Sequence, residues 1–85
     1  MTNYNDMLAL LKQVQALQCE ALLRGQMDVD TDFHAGDIEI EVFLYDFRSN
    51  SGQLFRLSST ESRSANGSEL DRIRQAMVQL GLLQP

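Results

Sequence analysis

The stretch D-I-E-I-E-V-F-L-Y-D-F-R, Asp37 to Arg48, constrains this chain more than any other. Its residues alternate in character. Ile38, Ile40, Val42 and Leu44 fall on one side of an extended strand, and Asp37, Glu39 and Glu41 fall on the other. β-branched and aromatic side chains dominate it, which suits a pleated, half-buried strand better than a helix. The polar run S-N-S-G at Ser49–Gly52 follows, and then Q-L-F-R-L-S-S-T continues to Thr60. Residues Asp37–Thr60 therefore predict an antiparallel β-hairpin.

A loop at Ser49–Gly52 pairs Arg48 with Gln53, Phe47 with Leu54, Tyr45 with Arg56 and Leu44 with Leu57. Cross-strand partners share a face. One face of the hairpin then carries Ile38, Ile40, Val42, Leu44, Phe55 and Leu57, a core face. The other carries Asp37, Glu39 and Glu41 at one end and Phe43, Tyr45, Phe47 and Leu54 at the other. A two-stranded hairpin needs more structure packed on it to be stable. If the helices of the chain cover only the first face, the aromatic group is left in water, and large exposed apolar patches mark contact surfaces. If a helix or a third strand covers it, the group belongs to the core.

Residues 4–24 predict a long N-terminal helix, with Asn3 as its cap, Asp6 in the first turn and Gly25 as its stop. Tyr4, Met7, Leu8, Leu11, Val14, Gln18, Ala21 and Leu22 follow helical spacing. Leu10, Leu17 and Leu23 widen that stripe beyond one sheet face, which points to a second contact, most simply with another copy of the chain. Residues 58–67, S-S-T-E-S-R-S-A-N-G, read as a polar linker. Ser68, with Asp71 three residues on, resembles a capping box that opens a shorter C-terminal helix. Leu70, Ile73, Met77 and Leu80 form its apolar stripe, Gly81 stops it, and Leu82 and Leu83 can fold back on the core.

The intervening segment Q-M-D-V-D-T-D-F-H-A-G, residues 26–36, supports two readings. Met27, Val29, Thr31 and Phe33 alternate with Asp28, Asp30 and Asp32, as in a short edge strand over 27–33. Aspartate is a poor strand former, so an extended connection fits equally. The same aspartates fall at positions 1, 3 and 5 of a calcium loop of the EF-hand type, with Glu39 at position 12. Phe33 stands where that loop requires glycine, and Glu39 lies in a strand where a helix should begin. No metal site and no cofactor are expected from these residues.

The expected fold class is α+β in the order helix, strand, strand, helix, with both helices on one face of the hairpin. At 85 residues and 44% hydrophobic content the chain, residues 1–85, is expected to form one small domain. Cys19 is the only cysteine, which excludes an internal disulfide and suits a reducing compartment. The N-terminus lacks the basic start and cleavage site of a signal peptide, and no apolar run suits a membrane span; a cytoplasmic protein is expected.

Charge is unevenly placed. Residues 26–47 hold Asp28, Asp30, Asp32, Asp37, Glu39, Glu41 and Asp46 with no Lys or Arg, within a chain of net charge −5. Direct binding to a nucleic-acid backbone is not expected of such a chain; attraction of a basic partner is. One His, one Cys and two Tyr with no motif linking them do not make an acid–base or nucleophile set, so no enzyme is expected.

The leading expectation is a small acidic protein-interaction module, an adaptor or inhibitor. Its partner-binding residues are Asp37, Glu39, Glu41, Phe43, Tyr45, Phe47 and Leu54, and a homodimer is expected. Size and acidity are also compatible with a phage or mobile-element product. The alternatives are a purely structural homo-oligomeric subunit and an inhibitor that mimics nucleic acid.

Overall fold

The alternating segment becomes the central strand of a three-stranded sheet. The computed structural model describes residues 1–85. The elements run α1 Tyr4–Ala21, β1 Gln26–His34, β2 Asp37–Asp46, β3 Ser51–Ser58 and α2 Arg63–Gln79. The strands form an antiparallel meander in the order β1-β2-β3, and both helices pack on one face of it. This is the α+β arrangement expected, with residues 27–33 falling within a full strand. β1 pairs with β2 along its whole length, from Gln26 opposite Tyr45 to His34 opposite Asp37. Ala35 and Gly36, both at positive φ (51° and 84°), make the tight turn between them. Burial of Met27 against α1 outweighs the poor strand propensity of the aspartates, which all face away from the helices.

The core is the inner face of the sheet and one stripe of each helix. Ile40, Val42 and Leu44 of β2 and Phe55 and Leu57 of β3 meet Met7, Val14, Leu17 and Ala21 of α1 and Leu70, Ile73, Ala76 and Met77 of α2. Fully burying an aliphatic side chain of this size is worth about 1.5–3 kcal/mol, so these positions dominate the stability of the fold. Leu82 folds back into the core as expected, seated over Gly25, where any added Cβ would collide with it.

The structure corrects the sequence reading in four places. The helix α1 stops at Ala21 and not at Arg24, because the Ala21 carbonyl accepts from both Arg24 N–H (2.9 Å) and Gly25 N–H (3.0 Å) and turns the chain. Leu17 lies in the intramolecular core and Leu10 packs against it, so neither widens the stripe toward a second copy; Leu23 lies beyond the helix and is 97% exposed. The helix α2 starts at Arg63, well before Ser68. Its cap is Ser62, whose hydroxyl accepts from Ala65 N–H at 3.1 Å. Of the segment 58–67 read as a linker, only residues 59–62 connect β3 to α2, and residues 63–67 are the first turn of the helix.

The fourth correction is the hairpin register. The turn spans Phe47–Asn50, and Phe43 pairs with Leu54, Glu41 with Arg56 and Ile40 with Leu57. Asp46 ends β2 early: its carboxylate accepts from Arg48 N–H (3.0 Å) and from the Ser49 hydroxyl (3.0 Å), and Asn50 takes φ 53°. The turn sits two residues nearer the N-terminus than Ser49–Gly52. An even slip leaves every side chain on its original face, so the two faces stand as expected.

Candidate functional site: the outer face of the sheet

With both helices on the inner side, the outer face of the sheet is left without a covering element. Alternation along the three strands decides what it carries. From β1 come Asp28, Asp30 and Asp32, from β2 Asp37, Glu39, Glu41, Phe43 and Tyr45, and from β3 Gly52, Leu54 and Arg56. Phe47, expected on the strand, lies in the turn just beyond it and continues the aromatic row.

The aromatic end is ordered by its own contacts. The Phe43 and Tyr45 rings are 6.4 Å apart and stacked at 30°, and Tyr45 meets Phe47 edge-on at 5.1 Å. Such pairs add about 0.5–1.5 kcal/mol beyond area burial. The Tyr45 hydroxyl donates to the Asn50 side-chain carbonyl, which ties the ring to the turn. Gly52, opposite Tyr45, provides the space in which the Phe43 ring lies; a Cβ there would strike the ring tip. Even so, Phe47 is 67% exposed and Leu54 56% exposed. The cluster forms an ordered apolar step that water still reaches.

At the acidic end, Asp30 stands directly opposite Glu41 and Asp32 directly opposite Glu39. Like charges at facing positions cost roughly 0.2–1 kcal/mol per pair. The one neutralising cation is Arg56, whose Nε lies 2.5 Å from Glu39 and whose Nη2 lies 3.4 Å from Glu41. Asp28 accepts a hydrogen bond from Gln26 at 3.2 Å, and neither Asp30 nor Asp32 is in an ion pair. The face thus holds six carboxylates against one guanidinium.

The calcium-loop spacing takes a different shape in space. Asp28, Asp30 and Asp32 project from a straight strand, and Glu39 returns on its neighbour, so the twelve residues form a hairpin and not a cage. No group of three or more His, Cys, Asp or Glu is placed to hold a metal ion. Cys19 is exposed on α1, and His34 is exposed at the end of β1. Among the titrating groups Asp46 stands apart: the Arg48 backbone N–H, then the Ser49 hydroxyl and the Arg48 guanidinium, hold its carboxyl below the usual range against an opposing desolvation effect.

All seven sequence-derived residues fall together on this side of the molecule. Sequence reasoning missed the contribution of β1, whose aspartates double the acidic row, and the role of Arg56. The signal for the first was the strict Asp alternation over residues 28–32; only the pairing of β1 with β2 gives it a face. The fold and site define an α+β protein with one helix-covered and one uncovered sheet face. No family model, no curated protein and no solved structure matches the chain.

Proposed function

We propose that this protein is a protein-binding module, an adaptor or inhibitor, that receives a basic partner on the outer face of its sheet. The observation that carries this reading is the juxtaposition of directly opposed acids with an uncovered aromatic step. The acids are held at a cost to folding that Thr or Lys at the same positions would avoid. They supply attraction and orientation; the aromatic step supplies the apolar anchor that interface centres use.

Area supports engagement of both halves. Aromatic side chains bury about 150–250 Å² each, and the exposed fractions of Phe43, Phe47 and Leu54 leave only a few hundred Å² free. A stable interface buries about 800 Å² on each partner, so the aromatic end alone is too small. Carboxylates on one strand repeat at about 6.6 Å, and a nucleic-acid-binding protein is one basic partner that such rows suit.

Replacing Glu39 and Glu41 by Gln tests the role of charge. Neither side chain enters the core, so the fold should persist. Association with the partner captured by the tagged wild type should slow at low salt and converge with wild type as salt is raised. Equal rates for wild type and variant at every salt concentration would reduce the acids to a solvated face.

A second reading, a homodimer, is favoured by apolar residues exposed elsewhere: Tyr4 and Leu8 on α1, Leu22 and Leu23 just after it. In a two-fold pair of outer faces the aromatic ends can meet only with the acidic halves directed apart. Light scattering at micromolar concentration should then give twice the chain mass. Tyr45→Asp abolishes a pair made by the sheet faces, and Leu8→Asp one made by the helices. A monomeric mass for the wild type removes this reading.

A further inference from the structure

The outer face is not the only surface left open. β1 is an edge strand of nine residues, hydrogen-bonded to β2 on one side alone. It contains no proline and no lysine, two of the usual means by which edges avoid further pairing. Its inner flank is covered by α1 at the Met27 end and open toward Phe33. Burial falls along the strand from Met27, which is in the core, through half-buried Val29 to exposed Thr31 and Phe33. Phe33 is 68% exposed although it points to the helix side. Beside it an apolar groove runs between β1 and the first turns of α1, lined by Tyr4, Leu8, Leu11, Thr31, Phe33 and Ile38. The other edge differs: on β3 the inward-facing Phe55 and Leu57 are sealed beneath α2.

The charge pattern selects the occupant. Asp28, Asp30 and Asp32 are the outer-face side chains along the middle of β1. A second copy pairing antiparallel about a two-fold axis at Asp30 would set aspartate against aspartate at all three positions, since opposed residues share a face. We propose that the β1 edge accepts an extended segment of another protein in which lysine or arginine alternates with apolar residues. Added as a fourth strand, such a segment sets its basic side chains beside Asp28, Asp30 and Asp32. Its intervening residues close the groove over Phe33, Tyr4 and Leu8. Ladder hydrogen bonds supply the attachment and alternate side chains the selectivity. The inference shares Asp28, Asp30 and Asp32 with the outer-face reading but does not use the aromatic step, so Tyr45→Asp separates the two.

The test uses the full chain and a synthetic peptide that alternates lysine with valine over the length of β1. Titration followed by amide exchange should show binding, with new protection confined to residues 28–33 and none on β3. Asp30→Asn with Asp32→Asn should weaken binding about tenfold, in line with the loss of two cross-strand charge pairs. That variant also relieves the repulsion with Glu41 and Glu39, so unchanged protection in β2 confirms its fold. Phe33→Ser should weaken binding through the groove, and Tyr45→Asp should leave it unchanged. A peptide with alternate backbone nitrogens methylated keeps every side chain but cannot form the ladder, and it should not bind. Equal binding of the methylated peptide, absence of protection on β1, or protection of β1 by the wild-type protein alone on concentration would each overturn the proposal.

Discussion

Asn66 shows how much one polar side chain can organise. It is buried at the start of α2; its Oδ1 accepts from Ser58 N–H at 3.1 Å and its Nδ2 donates to the Ser58 carbonyl at 2.9 Å. The same Nδ2 donates to Thr2 Oγ1 at 2.8 Å, and Thr2 N–H donates to the Ser59 carbonyl at 3.0 Å. The end of β3, the first turns of α2 and the N-terminal segment are thereby joined at one amide. Asn66→Ala strands the Ser58 backbone groups, at a cost of about 1–3 kcal/mol. The gain in helix propensity is under about 0.7 kcal/mol and does not offset it. The melting temperature should fall by about 4–8 °C for each kcal/mol lost, measurable by circular dichroism. An unchanged transition would mean that water replaces the amide without penalty.

Among the elements, the β2–β3 turn depends on an ionised Asp46. Its carboxyl is held below the usual range in the folded chain, first by the Arg48 backbone N–H. A group whose folded value is depressed contributes stability that is complete above its unfolded titration range and is lost as pH falls through the folded value. A carboxyl-carbon NMR titration should place the Asp46 midpoint below that of a peptide of the same turn sequence, with the Arg48 amide shifting in parallel. Coincident midpoints would contradict the Asx-turn account. The same turn shows what the sequence revealed and what it concealed. A period of two places Ile40, Val42 and Leu44 on one face and Glu39, Glu41, Phe43 and Tyr45 on the other whichever even register is chosen, so both faces were legible. The register was not, because Asp46 and the run S-N-S-G are both good turn formers and only the folded hairpin selects between them. The start of α2 was concealed for a different reason: Asn66-Gly67 reads as a turn until tertiary contacts to Ser58 and Thr2 hold it in a helix. The seven outer-face residues were legible together; the β1 aspartates joined them only through burial of Met27.

At the scale of the whole molecule, both helices are spent on one side of the sheet, and the other side meets solvent with six carboxylates and an ordered aromatic step. On the proposed reading, the charge supplies long-range attraction and the apolar end supplies retention after contact. Substitutions on the two halves should therefore separate kinetically, with the acids changing association and the aromatics changing dissociation. The central claim is that this face is a contact surface. It is tested most directly by parallel capture from the native cell with the tagged wild type, Tyr45→Asp, and Cys19→Ser as a control on the exposed side of α1. Matched thermal transitions would establish that all three are folded. The account predicts one protein retained by wild type and Cys19→Ser and lost from Tyr45→Asp. Retention of that protein by Tyr45→Asp at wild-type level would contradict it.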